Sequence, residues 1–346
     1  MEIQYKLQQE FQLKAAQVEN VIKLIDEGNT IPFIARYRKE MTGSLDDQIL
    51  RSLSERLSYL RNLEEKREQV KNIITEQGNM TEEIAQKLSI AQTMTEIEDI
   101  YRPFRPKRRT RATIAKEKGL EPLADLIWIQ KLSDTLEHMA QPFLDTEKGV
   151  QTIEEAIAGA KDILAERISD NADFRKLLRT EIIKNGFLTA KATDDTKQSV
   201  YEMYYCFQEP IKKVAGHRVL AINRGEKEDF LTVKIIPEEE NKLLQKLEYK
   251  IILPQSNTKQ LLQEVIADSY KRLIAPSLER EIRNDMTEQA EENAIKVFRE
   301  NLKQLLLQPP IKDKVVLALD PAFRTGCKIS VIDQTGKTLD TAVVYP

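Results

Sequence analysis

Apolar residues recur at three- and four-residue steps along most of this chain, the spacing that gathers them on one face of a helix. Leu13, Val18, Val21, Ile22 and Ile25 form the first such face, which Gly28 and Asn29 close as a C-terminal cap. Thr30 and Pro32 restart a helix with Ile31, Phe33 and Ile34 inward and Arg36, Arg38 and Lys39 outward, and Gly43 ends it. The pair predicts a helix-turn-helix-like unit. Ser44 with Asp47 predicts a capping box, and Leu50, Leu53, Leu57, Leu60, Leu63, Val70 and Ile74 then carry one stripe to Gly78 with no Gly or Pro between. That stripe predicts a single helix over 44–77.

Shorter capped helices are predicted over 81–88 and 95–100, the second opening on Thr95 and Glu98 as a capping box. Pro103 and Pro106 each forbid regular helix, so 102–113 reads as an extended, exposed strap before a helix over 121–131. A helical pair covers 152–185 with Gly186 as its stop, and an aromatic-rich helix surrounds Tyr201. The run 230–236 reads as a strand ending at Pro237. Helices resume from Glu238 and fill 257–307 with a break at Pro276, until Pro309 and Pro310 mark a linker. Strands are predicted over 314–320, 327–333 and 338–345, the last two joined by a turn at 334–337. Three strands without a covering helix cannot bury both faces of a sheet, so the natural protein is expected to continue beyond Pro346.

Composition narrows the function classes. The 346 residues suffice for two or three domains, and 32% charged residues with only 11 Gly suit long solvated helices. The N-terminus lacks a signal-peptide pattern and no apolar run can span a bilayer, so a cytoplasmic protein with no membrane partner is expected. Cys206 and Cys327 lie far apart, and His138 and His217 are the only histidines, which excludes a thiolate zinc site or a histidine cage. Neither a metal nor any other cofactor is expected. The net charge of -3 argues against a uniformly basic surface, so any nucleic-acid contact must be local.

The strap is the strongest local signal. Arg102, Arg105, Lys107, Arg108, Arg109 and Arg111, with Lys116 and Lys118, face one acid, Glu117, a local net charge of +7. Guanidinium groups fit phosphates bidentately and clustered cations release condensed counterions, so these residues are candidates for sequence-independent binding of RNA or DNA. Tyr101 and Phe104 could stack on unpaired bases; the other reading has them anchor the strap while its arginines pair with acids on neighbouring helices. Arg36, Arg38 and Lys39 form a second cluster, read as a solvated helix end opposing the dipole. His217 and Arg224, within 216–226, form a polar constellation without reaction geometry. Asp320 ends a strand apolar on both faces, where nucleases of the RNase H-like class hold a first metal ligand, but one carboxylate does not make a two-metal site, and a turn-capping role is the simpler reading. No phosphate loop of the form GxxxxGK[ST] is present.

Four stretches together resemble the Tex family: 30–40 (TIPFIARYRKE), 98–111 (EDIYRPFRPKRRTR), 217–226 (HRVLAINRGE) and 319–328 (LDPAFRTGCK), in the family's order. The resemblance implies a Tex-type helical N-terminal domain over 1–190, a helical central region with a short β element over 191–308, and the start of a truncated YqgF-type RNase H-like α/β domain over 309–346. Helix-hairpin-helix modules and an S1 RNA-binding domain would lie beyond this sequence. Ala322 stands where many relatives carry Gly, which weakens analogy with resolvase active sites and leaves Asp320 as a vestigial acid. The expected fold is therefore mainly α, and the expected function is that of a nucleic-acid-binding transcription accessory protein, not an enzyme, with the transcription machinery as a further partner. The competing functions are a metal-dependent resolvase-type nuclease and a protein scaffold docking on RNA polymerase.

Overall fold

The long stripe becomes the long helix. In the computed structural model, which describes residues 3–131, 134–309, 312–322 and 325–345, α1 (Ile3–Phe11), α2 (Ala15–Asp26), α3 (Ile31–Tyr37) and α4 (Lys39–Thr42) precede α5 (Asp47–Glu76). The buried residues of α5 are Leu50, Leu53, Leu57, Leu60, Leu63, Val70 and Ile74, the residues of the stripe. They share one core with Leu7, Val18, Val21, Leu24, Ile34, Leu88 and Ile97. Burying seven such side chains contributes about 1.5–3 kcal/mol each before the entropy of ordering is subtracted.

Two helix starts are corrected. Ser44 has φ +62° and does not cap α5; the Asp46 carboxylate does, accepting from the Ile49 N–H at 2.8 Å. Gly43 is already left-handed at φ +66°, and a Cβ there would lie 2.6 Å from Gln17 Nε2, so the turn spends an extra residue before the helix begins. After α6 (Glu82–Ile90), α7 (Met94–Tyr101) starts two residues earlier than the Thr95–Glu98 pattern: Thr93 accepts from the Glu96 N–H at 3.2 Å, and Glu96 reaches back to the Gln92 N–H at 2.7 Å. Two candidate hydroxyls two residues apart fit the same box, and Ile97 and Asp99 facing inward select the register.

Then follow α8 (Arg111–Glu117), α9 (Glu121–Ile129), α10 (Leu136–Ala140), α11 (Ile153–Asp170) and α12 (Ala172–Asn185). Gly186 leads into β1 (Phe187–Ala192), a strand the sequence did not announce, because its middle residues Leu188, Thr189 and Ala190 are all buried and leave no period-two pattern. The segment around Tyr201 is a 3-10 turn over Glu202–Tyr204 rather than a helix, followed by β2 (Cys206–Pro210). Tyr201 and Tyr204, three apart, both turn inward, which a single 3-10 turn satisfies. Next come α13 (Gly216–Lys227) and β3 (Leu231–Ile236), the predicted strand, in a sheet of order β2-β1-β3.

Beyond α14 (Glu240–Ile251) and α15 (Lys259–Asp268), the break expected at Pro276 is absent. A π-helical turn over Ser269–Ile274 precedes Pro276, which lies in the first turn of α16 (Ala275–Leu306). The wider turn absorbs the missing N–H and the ring, and Ser269, fully buried, donates to the Ala165 carbonyl at 2.7 Å. The linker residue Pro310 lies outside the described residues. Finally β4 (Val316–Asp320), β5 (Cys327–Ile332) and β6 (Thr338–Val344) pair antiparallel in that order. The described residues are thus mainly helical with two small sheets.

Two compact units emerge: residues 1–189, 208–212 and 234–282 in one, and residues 190–207, 213–233 and 283–346 in the other. Within the first, Gln130 is buried and donates to the Ile251 carbonyl at 2.7 Å while accepting from the Leu253 N–H at 2.9 Å. Within the second, Asn223 donates to Thr287 at 2.8 Å and Arg283 donates to Glu226 at 3.0 Å.

Candidate nucleic-acid interface

The strap is shorter than the sequence suggested and tied at both ends. Arg102–Phe104 is a 3-10 turn with Pro103 in its first turn, and α8 already begins at Arg111, so only 105–110 is irregular chain. Proline at a helix start removes an N–H that has no partner there anyway, which is why Pro103 is tolerated. Thr110 caps α8 by accepting from the Thr113 N–H at 3.0 Å. Tyr101 and Phe104 pack half-buried on the N-terminal core, and Gln77 donates to the Phe104 carbonyl at 3.0 Å. The aromatics therefore anchor the strap.

The six candidate cations divide by what they touch. Arg102 lies 3.5 Å from Asp170, and Lys107 pairs with the same carboxylate and, at 3.5 Å, with Glu166. Arg109 reaches Glu117 at 2.8 Å with 69% of its side chain exposed, and Arg105, 67% exposed, is 4.0 Å from Glu98. Arg108 and Arg111 are exposed and form no ion pair among the described residues. Burial pushes the Asp170 carboxyl up and the Arg102 guanidinium down, the latter assisted by Arg175. Arg102 and Lys107 thus tie the strap to α11, while Arg105, Arg108, Arg109 and Arg111 face solvent. An exposed pair such as Arg109–Glu117 is worth at most about 1 kcal/mol, so a phosphate can displace it.

Beneath the strap lies a buried ionic network that the sequence reading missed. Arg175 donates to Asp99 at 2.8 Å and to Ser277 at 3.1 Å, and Arg179 donates to Asp99 at 2.6 Å and pairs with Glu281. Arg175 is 1% exposed, and its Nη1 and the Nε of Arg102 are buried without a hydrogen-bond partner among the described residues. Arg175 and Arg179, four apart on α12 and on the face of Leu178 and Ile182, were the available signal.

Arg36 and Lys39 are exposed and Arg38 half-buried at the corner between α3 and α4. His217 and Arg224 lie on α13. Asp320 ends β4 with Lys328 opposite it on β5, so the cross-strand neighbour is a cation rather than a second carboxylate. Part of the turn that follows, Phe323 and Arg324, lies outside the described residues. Among the described residues no group of three His, Cys, Asp or Glu could hold a metal, and no helix is long and apolar enough to cross a membrane.

Residues 1–75 match the Tex-like protein N-terminal domain, 132–298 the Tex central region, and 314–346 the YqgF-like domain of Tex proteins. The chain is 50% identical over 348 residues to the uncharacterized protein YdcI of Bacillus subtilis (strain 168), covering 99% of this chain and 48% of that protein. It is 40% identical to Protein tex of Bordetella pertussis, covering 99% of this chain and 45% of that one. It is 37% identical to the transcriptional accessory protein Tex of Neisseria gonorrhoeae, covering 100% and 46%. The chain spans about half the length of these relatives. With three successive domain matches and this identity along its whole length, the chain belongs to the Tex family.

Proposed function

We propose that this chain is the non-catalytic, phosphate-binding part of a transcription accessory protein, and that the strap contacts RNA or DNA without regard to sequence. The observation that carries this reading is the row of outward cations, Arg105, Arg108, Arg109 and Arg111, two of them without ion pairs among the described residues, on a segment held rigid at both ends. Preorganised cations bind phosphates through counterion release, and anchored aromatics leave bases unread. The name of the Neisseria relative supports a transcription role and the transcription machinery as a partner.

Replacing Arg105, Arg108, Arg109 and Arg111 with Gln should weaken binding to every probe alike and flatten the salt dependence by roughly 0.9 unit per lost duplex-phosphate contact. An unchanged slope in a variant that keeps its helical circular dichroism would assign the strap to structure alone. The non-catalytic reading rests on Asp320 bringing one carboxylate where two-metal phosphoryl transfer needs several. Divalent-dependent cleavage of a branched DNA that disappears in Asp320→Asn would overturn it.

A further inference from the structure

The corner between α3 and α4 carries an arrangement that the strap does not explain. Tyr37 is 56% exposed, its ring 5.2 Å from that of Phe33 and tilted by 46°. The Arg38 guanidinium lies 5.2 Å from the Phe33 ring centre and donates to the Tyr37 carbonyl at 3.1 Å. None of Arg36, Arg38 and Lys39 forms an ion pair among the described residues, and Glu40 is the one acid in the run. The corner is held in place from α2: Asn20 donates to the Met41 carbonyl at 2.8 Å and Gln17 to the Thr42 carbonyl at 3.1 Å.

A solvated helix end accounts for only part of this. Arg36 in the last turn of α3 complements the negative end of that helix, but Lys39 opens α4, where the backbone dipole repels a cation. A single exposed Tyr is ordinary by itself. An exposed ring backed by a second aromatic, on a pinned corner among unpaired cations, is the combination that holds an unpaired base by its face and the flanking phosphates by charge.

We propose that this corner is a second nucleic-acid site, distinct from the strap and selective for single strands: an unpaired base stacks on Tyr37 while Arg36, Arg38 and Lys39 hold the adjoining phosphates. Duplex bases present no free face, so the stacking contribution is confined to unpaired nucleotides. The strap reads charge alone, and this site adds a requirement for a base.

The test is fluorescence anisotropy on the 346-residue chain with labelled oligothymidylate and oligouridylate, an abasic strand of the same length and a duplex. Tyr37→Ala should bind the two oligonucleotides about tenfold more weakly, while Tyr37→Phe, which keeps the ring, should stay within about twofold. The abasic strand and the duplex should not respond to either change. The same differences should persist when the four strap arginines are Gln, which separates this site from the strap. Equal affinities in Tyr37→Ala would overturn the proposal, as would an equal loss on the abasic strand. Displacement of the oligonucleotides by polyglutamate of matched charge, lost in Tyr37→Ala, would instead make the corner a dock for an acidic protein segment. Should Tyr37→Ala lose its helical circular dichroism, ultraviolet crosslinking of the unaltered chain to oligouridylate decides: adducts on Tyr37 are expected, and their absence from residues 31–42 overturns the site.

Discussion

Lys107 shows how a cation can look like a ligand in sequence and act as a tie in structure. Its ammonium pairs with Asp170, and both side chains are mostly covered, 27% and 13% exposed. Burial raises the Asp170 carboxyl above its ordinary value of 3.8, so the ionised form is the costly one and Lys107 offsets part of that cost. Lys107→Gln should therefore destabilise the chain by about 1–2 kcal/mol near neutrality. Without Lys107 the carboxyl rises further, so the deficit is present where Asp170 is ionised and closes as falling pH protonates it, in a window above 3.8. Urea melts of both proteins across that window measure it, and a deficit independent of pH would assign the loss to packing rather than to charge. Arg175 is the extreme of the same behaviour: a charge buried this completely is held by Asp99, Ser277 and Glu281, and no run of basic residues advertises it.

Among elements, α8 is the piece on which the strap depends, and α11 brings it close through a glycine. A Cβ at Gly159 would run into Leu120 Cδ1 and lie 3.3 Å from the Ala115 Cβ. Gly159→Val should cost about 1–3 kcal/mol through overpacking, and its effect should concentrate in α8. Amide hydrogen exchange in 111–117 should then quicken relative to α5. Uniform loss of protection across the chain would show instead that α8 has no separate stability. The long helix and its stripe were legible residue by residue, because a 3.6-residue period kept over 30 residues leaves one solution. The strand β1 and the π turn before Pro276 were not, since one is buried along its middle and the other depends on what α11 offers Ser269.

At the scale of the molecule, apolar exposure is concentrated at the C-terminal end of the chain. Leu317 is 65% exposed, Leu319 56%, Leu339 56% and Tyr345 69%, and on α16 Ile295 is 66% and Phe298 67% exposed. A three-stranded sheet with that much open surface lacks the burial that gives protection, so β4, β5 and β6 should exchange their amides far faster than α5. Mass-spectrometric hydrogen exchange on the 346-residue chain checks this, and protection in 316–344 equal to that in 47–76 would mean that the sheet is covered in solution.

The sequence by itself determined the mainly helical character, the stripe of α5, strands β3 to β6, and the stretches that mark the family, because each is written in local spacing or in contiguous residues. Tertiary structure alone decided which cations of the strap face solvent. Arg102 and Lys107 lie within reach of Asp170 on α11, more than sixty residues away in sequence, whereas Arg108 and Arg111 form no ion pair among the described residues. Charge is a property of the residue, whereas availability is a property of the acids the fold brings beside it. The same holds for Arg175 and Asp99, 76 residues apart, whose pairing depends on α7 and α12 meeting in space and on no pattern within either helix.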